Sequence, residues 1–260
     1  MNTYAISDLH GRLDLWNQVK EYLEYNDTVY FLGDAIDRGP DGWELMKELI
    51  EDKRVIYICG NHEDMLIKAV AEMKQGIGPN NCGSMSDFYL WYYYNGGYTT
   101  YNHMIQDSEW GKWIDKLQEK VCYQYHLYYS INDELGKIIL CHAGYTPYLA
   151  HLDNENRSLK DLMWDRKHIR LYPKAEELAP NTIIVHGHTP TIYLIDEYLN
   201  NTARWNDKPK RKWESGAIWY CHNQKVDIDC GSFATGITCL LNLKDWTENI
   251  FTAEPDYSFF

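Results

Sequence analysis

The sequence has no apolar run long enough to span a bilayer, and its first residues, Met1-Asn2-Thr3-Tyr4, carry neither the basic nor the apolar character of a leader. These absences set the expectation of a soluble, cytoplasmic protein with no membrane partner. Positive charge is also scarce: 25 Lys and Arg stand against 38 Asp and Glu, a net charge of −13. That balance excludes a general nucleic-acid surface, and an anionic substrate would need cations held locally to draw it in. There is no C-x-x-C pair. The seven cysteines are odd in number and scattered, several inside apolar runs such as Tyr57-Ile58-Cys59, so they read as buried free thiols in a reducing compartment. No Pro- or Ser-rich linker, internal repeat or low-complexity stretch divides the chain, and residues 1–260 are read as a single domain.

What is present is regular. Short β-prone runs at 3–7, 28–32 and 54–58 alternate with amphipathic stretches near 13–25, 42–52 and 63–75. Strand–helix–strand alternation predicts a parallel sheet, whose carboxyl-terminal strand ends line a binding crevice. Each run is followed at once by a polar cluster: Asp8-Leu9-His10-Gly11, then Gly33 to Gly39, then Gly60-Asn61-His62-Glu63. The three clusters should therefore meet on one sheet edge. Residues 76–125 break the pattern and read as a helical insert rich in Tyr and Trp. An aromatic helix there ends at Asn95-Gly96-Gly97, a second restarts at Thr99 or Thr100, and a third covers Ser108 to Lys120. Most of its rings are expected to pack into a small core of the insert's own; the alternative is a cap with rings over the crevice. Strands are predicted at 126–131, 137–141 and 182–185, and a short helix near 158–163. Late strands at 217–221, 226–229 and 236–243 read as an antiparallel meander, and the basic stretch 206–213 as a solvated loop.

Five strand-end clusters together contain Asp8, His10, Asp34, Asn61, His142 and His188. Singly, Asp8 could cap a helix, Asn61 could serve a turn and His142 could sit satisfied in a core. Burying all of them side by side is costly without compensating cations. Carboxylate, imidazole and carboxamide form a mixed O/N shell suited to Mn²⁺, Fe²⁺ or Zn²⁺.

DLHG (8–11), GDAIDRG (33–39), GNHE (60–63), HAG (142–144) and HGHTP (186–190) occur in the order seen in calcineurin-like metallophosphoesterases. The DRG and GNHE forms resemble the phosphoprotein phosphatase (PPP) family, in particular its bacterial and bacteriophage serine/threonine branch. Asn95-Gly96-Gly97 with Thr100 resembles a segment common among bacterial members. The resemblance implies an α/β fold, a four-layer sandwich of two mixed sheets flanked by helices, with the helical insert. It further implies two divalent metals, with Mn²⁺ first and Fe or Zn as alternatives. Asp8, His10 and Asp34 would hold one, and Asp34, Asn61, His142 and His188 the other, with a metal-bound hydroxide as nucleophile. His62 would be the general acid and Asp37 its orienting partner, favouring the charged imidazole. Arg38 and Arg166, with Asn61, would bind the phosphate. Only His188 falls on the G-H position of HGHTP, which leaves His186 outside the ligand set. Ser7 stands where many relatives have glycine. The implied activity is phosphomonoester hydrolysis on a phosphorylated protein or small phosphoester. Hydrolysis of dinucleoside polyphosphates or nucleotide anhydrides is the alternative; Asp37 favours the first reading over it, since symmetric tetraphosphate hydrolases often lack the acid that Asp37 supplies. An inactive scaffold would be expected to lack a ligand or the acid histidine, and none is missing.

Overall fold

In the computed structural model of the chain, the described residues are 1–122, 137–144, 159–166, 169, 182–194, 216–221 and 223–255. The expected strand at 126–131 and the basic loop at 206–213 lie outside them. The first 75 residues alternate as expected: β1 (Thr3–Ile6), α1 (Leu13–Tyr22), β2 (Thr28–Phe31), α2 (Gly42–Glu51), β3 (Val55–Tyr57) and α3 (Asn61–Met73). Apolar residues recur at helical spacing. Leu45, Met46, Leu49 and Ile50 on α2, and Met65, Leu66, Ala69 and Val70 on α3, are buried in one face of each helix.

Two mixed sheets result. Adding β8 (Ile237–Asn242) and β9 (Glu248–Thr252), the first has the order β3-β2-β1-β8-β9. Its β1–β2 and β2–β3 pairs are parallel, and β1–β8 and β8–β9 antiparallel. The second, from β4 (Lys137–Leu140), β5 (Thr182–His186), β6 (Ile218–Tyr220) and β7 (Lys225–Asp227), has the order β4-β5-β7-β6. There β4, β5 and β7 run parallel and β6 pairs antiparallel with β7. The late strands are therefore not one meander. β6 and β7 stay in the second sheet, while β8 crosses to pair with β1.

Strand alternation assigns the layers, because successive side chains leave opposite faces of a sheet. Tyr4, Ile6, Val29 and Phe31 pack with α1, α2 and α3. Ala5, Tyr30 and Leu32, between them in sequence, pack instead against Ile138, Leu140, Val185 and Val226 of the other sheet. Ile139 and Ile184 face outward from the second sheet, onto Leu162 of α7 (Leu159–Trp164). Helix, sheet, sheet and helix thus stack as four layers.

The insert departs from expectation in two ways. Its aromatic stretch is α only over α4 (Asp87–Tyr89) and widens into a π-helix over Leu90–Tyr94. The next helix, α5 (Gly97–Met104), starts ahead of Thr99, so neither threonine begins it; the Thr100 hydroxyl is spent on Asp37 instead. After α6 (Trp110–Leu117) a second π turn covers Gln118–Cys122. Among the described residues the insert also has no core of its own. Phe88, Trp91, Met104, Ile114 and Leu117 belong to the same buried cluster as Trp16, Trp43 and Leu49 of the main body. Tyr93 and Tyr94 remain exposed.

Candidate active site

The strand ends turn sharply into their helices, and the sharpness shows in the backbone. Asp8, His10, Asp34, Asp37, Arg38 and His188 all have positive φ, between 43° and 71°. Such conformations cost L-residues energy and persist where the surroundings over-determine them, commonly at functional sites. Here the surroundings are specific. Asp8 N donates to Gly33 O at 3.0 Å, His10 N to Asp34 O at 3.0 Å and Gly11 N to Ala35 O at 2.7 Å, extending the β1–β2 contact past the strands. Below the Asp34 turn, buried Glu63 accepts from the backbone N–H groups of Asp34 (2.9 Å), Ala35 (2.9 Å) and Gly60 (3.0 Å) and from the Tyr57 hydroxyl (2.9 Å). The second sheet is tied in by His188 N, which donates to Asp8 Oδ2 at 3.0 Å, and by Gly187 N, which donates to His142 O at 2.8 Å. Gly187 must be glycine, because a Cβ there would collide with the Ser7 and Asp8 side chains.

Two imidazoles have their tautomers set by backbone carbonyls, which can only accept. His142 Nδ1 donates to Leu32 O at 2.7 Å and His10 Nδ1 to Ile36 O at 2.9 Å. Both therefore present an Nε2 lone pair inward, the arrangement usual for metal-ligating histidines. His142 Nε2 lies 2.9 Å from Asn61 Oδ1, 3.2 Å from His188 Nδ1 and 3.5 Å from Asp34 Oδ1. His10 Nε2 lies 3.6 Å from Asp34 Oδ2. Donor atoms of His10, Asp34 and His62 lie within 4.8 Å of one another, and so do those of Asp34, His142 and His188. Asp34 is common to both groups. Asp8 falls in neither, although its Oδ1 is buried with no protein partner. His186 is also in neither; its Nε2 lies 2.7 Å from the Tyr220 hydroxyl.

The electrostatics agree with this geometry. Burial first, then the neighbouring carboxylates Asp229 and Asp8 respectively, push Asp8 and Asp34 well above the usual carboxylate range. Burial holds His10 well below the ordinary histidine range and His142 down at about 3. All four shifts express positive or negative charge that lacks compensation. A divalent cation among them would favour the ionised carboxylates and neutral imidazoles together. The unpartnered Asp8 oxygen and the facing acceptors of Asn61 and His142 also call for a cation, so the residues present fit divalent metal.

Beside this cluster His62 Nδ1 lies 2.7 Å from Asp37 Oδ2. Burial, then the Arg38 guanidinium, hold His62 well below its usual range. Burial lifts Asp37 to about 7 against hydrogen bonds from Thr100 and Trp91. Burial opposes charge on both partners, while the 2.7 Å contact places the Asp37 carboxylate where it can orient the His62 ring. Arg38 reaches across with Nη1 at 2.9 Å from His10 Nε2 and Nη2 at 3.2 Å from His62 Nε2. Arg166, exposed at the other end, donates through Nε to His188 Nε2 at 3.3 Å.

The profile of the calcineurin-like phosphoesterases matches residues 1–228. The chain belongs to that family. Among curated relatives, the symmetrical bis(5'-nucleosyl)-tetraphosphatase of Buchnera aphidicola is 40% identical over 84 residues, a stretch covering 31% of either chain. Serine/threonine-protein phosphatase 2 of Escherichia coli is 25% identical over 71% of this chain and 78% of its own, and supports the PPP branch. A solved structure of a putative diadenosine tetraphosphatase superposes with a TM-score of 0.53 at 13% identity, over 97% of this chain and 94% of that one. This last likeness shows the shared fold alone. No helix among the described residues is long and apolar enough to cross a membrane.

The structure adds residues to this phosphoesterase site that sequence reasoning passed over. Glu63 was visible only as the last letter of GNHE. Trp91 gave no signal beyond belonging to an aromatic run, and Thr100 was noted only as a helix starter and as part of a resemblance. Asp229, buried beyond the end of β7 and pushed up to about 6, acts on Asp8 across more than two hundred residues of chain. The alternation in Val226-Asp227-Ile228-Asp229 could have marked two acids on one face.

Proposed function

We propose that this phosphoesterase hydrolyses phosphomonoesters on protein side chains, of the serine/threonine type, using two divalent ions, Mn²⁺ first with Fe or Zn as alternatives that the O/N donor set also suits. The observation that carries this reading is the buried 2.7 Å contact between His62 and Asp37. An alkoxide leaving from phosphoserine or phosphothreonine is strongly basic and needs a proton in the transition state, whereas the phosphate leaving from a nucleotide anhydride needs little. An imidazole paired with a buried carboxylate beside the Arg38 guanidinium suits the harder leaving group. The longer alignment with the E. coli serine/threonine phosphatase supports the same side. The shorter, more identical match to the tetraphosphatase supports the second reading, hydrolysis of dinucleoside tetraphosphates.

In this proposal Asp8, His10 and Asp34 hold one ion, and Asp34, Asn61, His142 and His188 the other. Bound there, the ions polarise the phosphoryl oxygens and activate water as the nucleophile. Arg38 orients the phosphate in a bidentate fork, Arg166 closes on it from the His188 side and Asn61 adds a contact to it. His62 delivers a proton to the leaving oxygen, and Asp37 keeps the imidazole aligned while it does so.

The test compares kcat/KM of the Mn²⁺-loaded protein on phosphoserine and phosphotyrosine peptides, nitrophenyl phosphate and diadenosine tetraphosphate, for wild type and His62→Asn. The phosphoserine peptide should be turned over, and His62→Asn should lower its kcat by about 10² or more while sparing nitrophenyl phosphate. Preference for diadenosine tetraphosphate by wild type, or equal losses on both monoesters, would sink the proposal.

A further inference from the structure

We infer that the helical insert is a clamp on the acid pair, with Trp91 and Thr100 as positioning residues that lock the Asp37 carboxylate and through it the ring of His62. The inference rests on the reading of His62 as proton donor.

Both Asp37 oxygens are held from the insert. Thr100 Oγ1 donates to Oδ1 at 2.7 Å and Trp91 Nε1 donates to Oδ2 at 2.9 Å, the oxygen that also faces His62 Nδ1. The Thr100 hydroxyl accepts in return from Asp37 N at 2.9 Å. A hydroxyl has one hydrogen to give and lone pairs to receive, so this reciprocal pair uses both functions on one residue. Asp37 is fully buried with φ 71°, a conformation that would relax if its partners were lost. With three donors on two oxygens, the carboxylate cannot rotate without breaking a buried hydrogen bond. The imidazole it faces is then fixed in tautomer and tilt, with Nε2 directed to where Arg38 Nη2 lies, 3.2 Å away.

The rest of the segment serves the same end. Trp91 sits on the π turn Leu90–Tyr94, and its indole lies against Gly97, where a Cβ would come within 2.5 Å of the ring. Gly96, left-handed at φ 77°, turns its carbonyl to accept from Arg38 N at 3.2 Å. Trp91, Gly96, Gly97 and Thr100 are thus all committed to Asp37 and Arg38. Packing alone would not ask for this: a buried carboxylate costs folding energy, and an apolar residue in its place would fill the same core more cheaply. The insert is thus a brace beneath the acid, neither a separate core nor the alternative cap over the crevice.

The experiment uses the full-length, Mn²⁺-loaded chain and measures kcat and KM on a phosphoserine peptide and on nitrophenyl phosphate. The variants are Trp91→Phe, Thr100→Val and Thr100→Ser, with His62→Asn as reference. Trp91→Phe keeps an aromatic ring and removes the donor with part of the indole's volume; Thr100→Val is isosteric and removes the hydroxyl alone; Thr100→Ser restores the hydroxyl. Trp91→Phe and Thr100→Val should each lower kcat on the peptide by about 10-fold or more, part of what a general acid contributes, with KM and nitrophenyl phosphate turnover nearly unchanged. Thr100→Ser should recover most of the loss. Should Thr100→Val not fold, Trp91→Phe carries the same test. Equal losses on both substrates, no loss on either, or Thr100→Ser as poor as Thr100→Val would overturn the clamp while a selective His62→Asn leaves the acid standing. A non-selective His62→Asn would remove the acid reading and the clamp with it.

Discussion

The two ends of the site are built by opposite rules. At the acid end every Asp37 oxygen meets a protein donor: Thr100 on one side, Trp91 and His62 on the other. At the ligand end acceptors meet acceptors, with His142 Nε2 2.9 Å from Asn61 Oδ1 and Asp8 Oδ1 buried without a partner. Folding completes the first end. The second carries a cost that a bound cation would offset, because unpaired buried acceptors are destabilising in proportion to how well water is excluded. A site of this kind couples metal affinity to stability, whereas its acid end is as stable empty as loaded.

The largest effect should come from breaking the ligand end. Chelation, or Asp34→Asn at the ligand shared by both donor groups, should lower hydrolysis by about 10³ or more, since metal supplies several kcal/mol of transition-state stabilisation. In wild type, adding Mn²⁺ at about 100 times its Kd should raise stability by about 2.7 kcal/mol, read as a higher Tm. Full turnover after verified metal removal, or a Tm indifferent to Mn²⁺, would erase the contrast between the two ends.

The arginines bridge the ends and should sharpen it. Arg38→Ala should cost about 2–4 kcal/mol in kcat/KM, on the scale of one well-placed oxyanion donor, and Arg38→Lys should recover little of it. Arg166 is exposed and, among the described residues, hydrogen-bonds on the His188 side, so Arg166→Ala should cost less. Metal content is measured in parallel. If Arg166→Ala stays within about twofold of wild type, Arg38 holds the phosphate alone.

The smallest effect should fall on Glu63, the joint under both ends. Its carboxylate accepts from Asp34, Ala35 and Gly60 N–H groups and the Tyr57 hydroxyl. Glu63→Gln would turn an amide N–H₂ toward backbone donors and should cost about 1–3 kcal/mol in urea unfolding. An unchanged midpoint would mean that the Asp34 turn is held by the strands alone.

Much of the first 75 residues was legible because its signals are local. Apolar alternation, helical spacing and glycines after each strand lie within a few residues of what they determine. The polar clusters at the ends of β1, β2 and β3 were legible for the same reason, since a parallel sheet brings its carboxyl ends to one edge. What only the tertiary structure decided is non-local. The β-prone runs that became β7 and β8 both read as strands of one meander, yet β8 pairs with β1 and β7 with β5, because the choice depends on which face must be buried between the sheets. The sequence marked Thr99 and Thr100 as helix starters by their type; a carboxylate 63 residues away took the Thr100 hydroxyl instead. Periodicity tells a side chain which face to take, but a buried hydrogen bond forms with whatever donor the packing of distant segments brings within 3 Å, and no local pattern encodes that distance.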